Sequence, residues 1–283
     1  MAMPRAATSH AHRRFRCWMA LPGGAFHPFQ LRERKAELLH LTGRWDGLDA
    51  LTRQDRDTAQ AAGDASAEAG CLLRLGKLAT QRGDLDAAER LAVQAERLYS
   101  SAGDHRGIYE ARTALAKVFL ERRQLDQGEA IVAGLLREAR AGRDDGALCE
   151  QLNYLGLICV RTGRPGEAVR HFQEKLDLAR RLGKPIDMAV ALGNLGTALN
   201  ACGRTTESIA SVRECLALCR RTGDQFNAYC ALYNLAKRYE ETGRTEDAAR
   251  CYREDLRMAL QLGDGGGART IRADIARVEA AGP

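Results

Sequence analysis

Apolar residues recur along this chain at helical spacing, not at the alternation of a strand. Leu192, Leu195, Ala198 and Leu199 fall at i, i+3, i+6 and i+7, and Ile209, Val212, Leu216 and Cys219 follow suit after Gly203. Each set lies on one helix face. The polar breaks between these stretches keep a fixed period. Gly43, Gly83, Gly163, Gly203 and Gly243 form one column of forty-residue rows, interrupted by Arg123. Gly63, Gly103, Gly183, Gly223 and Gly263 form another, with Arg143 in the sixth place. Asp64, Asp104, Asp144, Asp224 and Asp264 follow that second column, Lys184 being the exception. Such a period marks an array of stacked units.

Each row therefore predicts two antiparallel helices with a tight turn at the first glycine column. The glycines supply the left-handed residue that closes a helix, and Pro165 and Pro185 suit a first helical position. Thr205 and Thr245 are expected as N-caps, with Glu207, Glu246 and Asp247 placing negative charge in the first turn. Two columns of mostly small residues explain the stacking. One holds Ala36, Gly76, Ala116, Gly156, Gly196 and Ala236; the other holds Leu48, Ala88, Gly128, Ala168, Ser208 and Ala248. Small side chains let helix axes approach closely, while Phe119, Tyr239, Phe172 and Tyr252 fill wider gaps. The stretch Ala268–Ala280 predicts a covering helix, with Ile271, Ile275 and Val278 inward and Arg269, Arg272, Arg277 and Glu279 in water.

The order Leu192, Leu195, Gly196, then a small residue at Ala88, Ala168 and Ala248, then an aromatic at Phe172 and Tyr252, resembles the tetratricopeptide repeat. The resemblance covers roughly residues 27 to 280. The usual repeat is about 34 residues long and closes with a proline; here the period is longer and Arg140, Arg180 or Arg220 stands in the proline's place. This long variety is similar to the repeats of spindle-orientation adaptors, kinesin light chains and bacterial peptide-signal receptors. It implies an all-α fold: a right-handed solenoid of about six helical hairpins plus a C-terminal capping helix. The expected divisions are a basic, disordered tail over 1–26, six repeats over 27–264, and a glycine linker with the capping helix over 265–283.

Composition narrows the function. The net charge is +6, but residues 1–32 carry five arginines and no acid, so the rest of the chain is only +1. A nearly neutral body lacks the basic footprint of nucleic-acid binding. No apolar run is long enough to cross a membrane. The nine cysteines include no CxxC pair, which favours reduced thiols in a cytoplasmic setting. Three readings of the N-terminus stand open: a disordered tail, translation starting at Met19, or an organelle presequence.

No P-loop, HExxH or nucleophile–base pair is legible, and the Gly263–Gly267 run has no preceding strand. The six histidines are scattered, and Cys215 with Cys219 reads as a pair of small buried residues. The expectation is a protein without catalytic residues, metal or cofactor. The family's ligands lie against the concave side lined by first helices, and its groove positions map here to Arg74, Lys77, Lys117, Asn153, Tyr154, Asn194, Thr197, Tyr233, Asn234 and Lys237. Two asparagines in register can hold an extended peptide, side chain to backbone, and the cations favour carboxylates. The expected function is binding of a peptide or partner protein, with a sensory domain closing on a small signalling peptide or metabolite as the alternative.

Overall fold

The computed structural model describes residues 45–280, and these are helices joined by tight turns. The basic tail, Met19 and the first helix of the first row lie outside the described residues. In chain order the helices are α1 (Trp45–Ala61), α2 (Ala65–Gln81), α3 (Leu85–Ala102), α4 (His105–Glu121), α5 (Leu125–Ala141) and α6 (Asp145–Arg161). They continue with α7 (Pro165–Arg181), α8 (Pro185–Ala201), α9 (Thr205–Thr222), α10 (Gln225–Glu241), α11 (Thr245–Leu262) and α12 (Gly265–Ala280). Even-numbered helices are the first of each row and odd-numbered ones the second. The chain clusters into two compact units that divide between Ile131 and Val132, inside α5.

Turn chemistry accounts for the helix ends. All the glycines of both columns within the described residues have positive φ, between 62° and 79°. Arg123 and Arg143 hold their places in the columns and adopt the same conformation, at φ 59° and 52°. Aspartates at 64, 84, 104, 144 and 224 cap helices by accepting from the backbone N–H three residues on. The threonine assignment needs correction. Arg204 and Arg244 occupy the N-cap positions without a side-chain cap, and Thr205 and Thr245 are the first helical residues. Arg204 and Arg244 instead pair with Glu207 and Asp247 in the first turn.

A left-handed arginine costs about 1–2 kcal/mol that glycine avoids. Arg123→Gly should therefore stabilise the first unit by roughly 1 kcal/mol, read as a higher urea midpoint with unchanged helicity. A midpoint that falls would mean that the Arg123 side chain holds something worth more than the strain.

Packing follows the small-residue columns. In the second unit α6 packs on α7, α8 on α9 and α10 on α11, and the first helices α6, α8 and α10 lie side by side. A Cβ at Gly156 would meet Phe172 Cε1 at 2.5 Å, and one at Gly76 would meet Leu91 Cβ at 3.6 Å. Ser208, in the second small column, donates its hydroxyl to the Gly196 carbonyl at 2.6 Å. The core of this unit runs from Cys159 through Phe172, Leu192, Val212, Leu232 and Tyr252 to Val278. Ile271 and Val278 on α12 are buried, as the apolar stripe predicts. In the first unit α2 packs on α1, α3 and α4, around Leu72, Ala92, Tyr99 and Ala111.

Candidate functional site

The first helices present a continuous polar face within the second unit. Their packing residues, among them the leucine just before each small residue, are buried, so the positions two and three places before the small residue and the one after it turn outward. Asn153, Tyr154, Asn194, Tyr233, Asn234 and Lys237 are half-buried there, and Thr197 is exposed. Arg74, Lys77 and Lys117 belong to the first unit. Arg74 pairs with Asp55 at 3.9 Å, and Lys77 is exposed.

Neighbouring rows are linked by a diagonal. Asn194 Nδ2 donates to Asn153 Oδ1 at 3.0 Å, and Tyr233 donates its hydroxyl to Asp274 Oδ2 at 3.3 Å. Each bond joins a residue three places before a small position to one two places before the next row's small position. The rule fails between α8 and α10, because the residue due to meet Asn234 is Gly193. No side-chain hydrogen bond joins Asn234 to the described residues. A Cβ at Gly193 would meet only Cys215 Sγ, at 3.7 Å, so the notch beside Asn234 is open.

The other predicted groups are more committed. Lys237 Nζ donates to Asp274 Oδ1 at 3.1 Å and lies 5.5 Å from the Tyr233 ring centroid. Lys237 is thus neutralised by the covering helix. Tyr154 donates to Glu150 at 3.3 Å, and Thr197 to the Gly193 carbonyl at 3.2 Å. The sequence reading passed over two exposed apolar residues at the start of this face. Ile186 on α8 is 63% exposed and Phe226 on α10 is 67% exposed, at equivalent positions in adjacent rows. Their forty-residue spacing was the available signal.

A buried polar column also escaped sequence reasoning. Lys175, Cys215 and Asp255 occupy one position in successive second helices, all at most 3% exposed. Lys175 Nζ lies 3.9 Å from Asp187 Oδ1, and burial lowers its pKa. Cys215 donates to the Ala189 carbonyl at 3.1 Å. Neither oxygen of Asp255 has a hydrogen-bond partner among the described residues, and burial pushes its pKa up to about 7. His171 has closer company than the scatter of histidines suggests, since Cys159 and Glu167 stand beside it. Burial lowers its pKa.

One open cleft lies away from the first-helix face. It is lined by Asp86, Glu89, Arg90 and Arg97 on α3 and by Arg122, which pairs with Asp86 and Glu89. Both of its acids are therefore held by Arg122. No helix among the described residues is long and apolar enough to cross a membrane.

A tetratricopeptide-repeat model matches residues 187–261, and another of the same description matches residues 152–186. These are tetratricopeptide repeats. Both matches fall on the unit that carries the asparagines. No curated protein matches the sequence. Among solved structures, the repeats resemble BtubC (BKLC) from P. vanneervenii, with TM-score 0.67 and 16% identity over 77% of this chain and 92% of that one. A signal-transduction ATPase (STAND) with a tetratricopeptide-repeat sensor from Pyrococcus horikoshii gives TM-score 0.72 at 17% identity. The match covers 89% of this chain but only 37% of that protein. A Rap protein complexed with competence and sporulation factor gives TM-score 0.65 at 14% identity, over 86% of this chain and 79% of that one. At these identities the likeness is one of fold.

Proposed function

We propose that this tetratricopeptide-repeat protein is a non-catalytic interaction module, and that it holds an extended peptide segment against the first helices of its second unit. The observation that carries the reading is the Asn234 amide, which has no side-chain hydrogen bond among the described residues and stands beside the Gly193 notch. Its neighbour Asn194 pairs with Asn153, an amide-to-amide bond that a peptide group can replace in kind. Ile186 and Phe226 offer apolar purchase for a side chain of the same segment. Lys77 in the first unit favours a partner with acidic groups. The matched charges of Lys237 and Arg74 confine that preference to fewer positions than composition implies.

The double change Asn194→Ala with Asn234→Ala should weaken capture of the partner at least about tenfold, since each lost hydrogen bond is worth roughly 0.5–1.5 kcal/mol. Affinity purification with each form as bait, quantified by mass spectrometry and followed by calorimetry on the recovered protein, measures it. The control is Arg220→Ala, whose partner Glu254 lies on the next second helix at 2.5 Å. Undiminished binding by the double mutant would move the site off this face.

A sensory reading has support in one neighbour of like fold, the Rap protein solved in complex with competence and sporulation factor. A sensor should compact on binding its peptide, whereas a scaffold should give the same scattering profile with and without it.

A further inference from the structure

One hairpin of the second unit brings three metal-ligating side chains together away from the first-helix face. Cys159 lies near the end of α6, and Glu167 and His171 stand four residues apart on α7, hence on one side of it. A thiol sulfur, a carboxylate oxygen and an imidazole nitrogen from these residues all lie within 4.8 Å of one another. Cys159 is buried, and Glu167 and His171 are half-buried. We propose that Cys159, Glu167 and His171 form a zinc site that ties α6 to α7.

The donor set selects the metal. Sulfur and imidazole suit zinc and disfavour magnesium and calcium, which take oxygen ligands. Zinc bonds of about 2.0–2.3 Å set ligand atoms roughly 3.3–3.8 Å apart in a tetrahedron. Small rotations of the two half-buried side chains close the difference. Charge agrees as well: one thiolate and one carboxylate would offset a dication. Glu167 already has an orienting partner, since its Oε2 lies 3.5 Å from Arg164 Nη1 and the other oxygen is left to ligate. Three protein ligands leave a fourth position for water or for a group from a bound protein. The equivalents of Cys159 in other rows are Ala79, Phe119, Leu199 and Tyr239, so the site belongs to one hairpin alone.

Cobalt is the probe, because its thiolate complexes absorb where zinc is silent. Co²⁺ titrated into the reduced full-length protein should raise a sulfur-to-cobalt charge-transfer band that saturates at one equivalent and disappears when Zn²⁺ is added. Cys159→Ser should abolish the band. His171→Ala should weaken binding at least about tenfold, the scale on which even outer-shell losses act. Zn²⁺ should raise the melting temperature of the unaltered protein but not of Cys159→Ser, while circular dichroism shows both folded. Absence of a band, together with no zinc retained on dialysis, would overturn the proposal. So would a band that survives Cys159→Ser or vanishes in Cys215→Ser, which would place the metal on other thiols.

Discussion

Asp255→Asn should make the protein more stable at neutral pH and remove a slope from its stability curve. Asp255 is fully buried, neither of its oxygens has a hydrogen-bond partner among the described residues, and Asp264 and Glu254 add negative charge nearby. Of the groups it influences, Tyr229 and Cys230 on α10 and Tyr252 on α11 bring no cation to it. The folded state therefore keeps this carboxyl protonated up to about pH 7, whereas an unfolded aspartate ionises near 3.8. Between those values the native state binds the extra proton, so stability falls as pH rises and levels off above about 7. The slope is about 1.4 kcal/mol per pH unit, and the whole loss is on the order of 2–4 kcal/mol once relaxation around the buried group is allowed for. Urea melts of both forms across this range give the difference directly. A constant difference between them would show that Asp255 ionises freely in the folded protein. Asp264, held low chiefly by the Gly267 N–H, acts in the opposite sense, losing its stabilising effect as pH falls. Only the difference between the two forms isolates Asp255.

Two glycines on α8, three residues apart, should respond oppositely to substitution. A Cβ at Gly196 would overlap Val212 Cγ2 and stand 3.3 Å from the Ser208 carbonyl oxygen. Val212 is buried and β-branched, so it cannot swing aside without leaving its rotamer. Gly196→Leu should cost about 1–3 kcal/mol or more, and even Gly196→Ala should destabilise. Gly193→Ala meets only Cys215 Sγ at ordinary contact distance and should gain up to about 1 kcal/mol of helix propensity. Arg123→Leu, on a turn, should cost less than Gly196→Leu. Thermal melts rank the variants. Equal stability of Gly196→Leu and Arg123→Leu would mean that the packing columns are misassigned.

The fold was legible because its signals are periodic. Gly163, Gly203 and Gly243 share one backbone conformation, and Gly156 and Gly196 share one steric role, so each copy corroborates the next. The candidate site was legible only as a set of positions. That Lys237 and Tyr233 both reach Asp274 depends on the covering helix putting an acid in the asparagine column, a deviation that periodicity averages away. Asn234 has no side-chain hydrogen bond among the described residues for the converse reason, the loss of a side chain at Gly193. The threonine caps were misread because arginine, a poor cap, takes the place that aspartate holds elsewhere. Cys159 and His171 meet across a hairpin that neither residue's own spacing reveals.

The arginines at 140, 180 and 220 bind Glu174, Glu214 and Glu254, each 34 residues further on and in the following row. Such exposed pairs contribute little to stability, but each row carries the donor for its successor and the acceptor for its predecessor. The rows are thus interchangeable parts with complementary ends. Excising one forty-residue row, from Pro165 to Arg204, would bring Arg140 opposite Glu214 with no charge left over. A chain built this way can lengthen or shorten by whole rows without redesign of its seams.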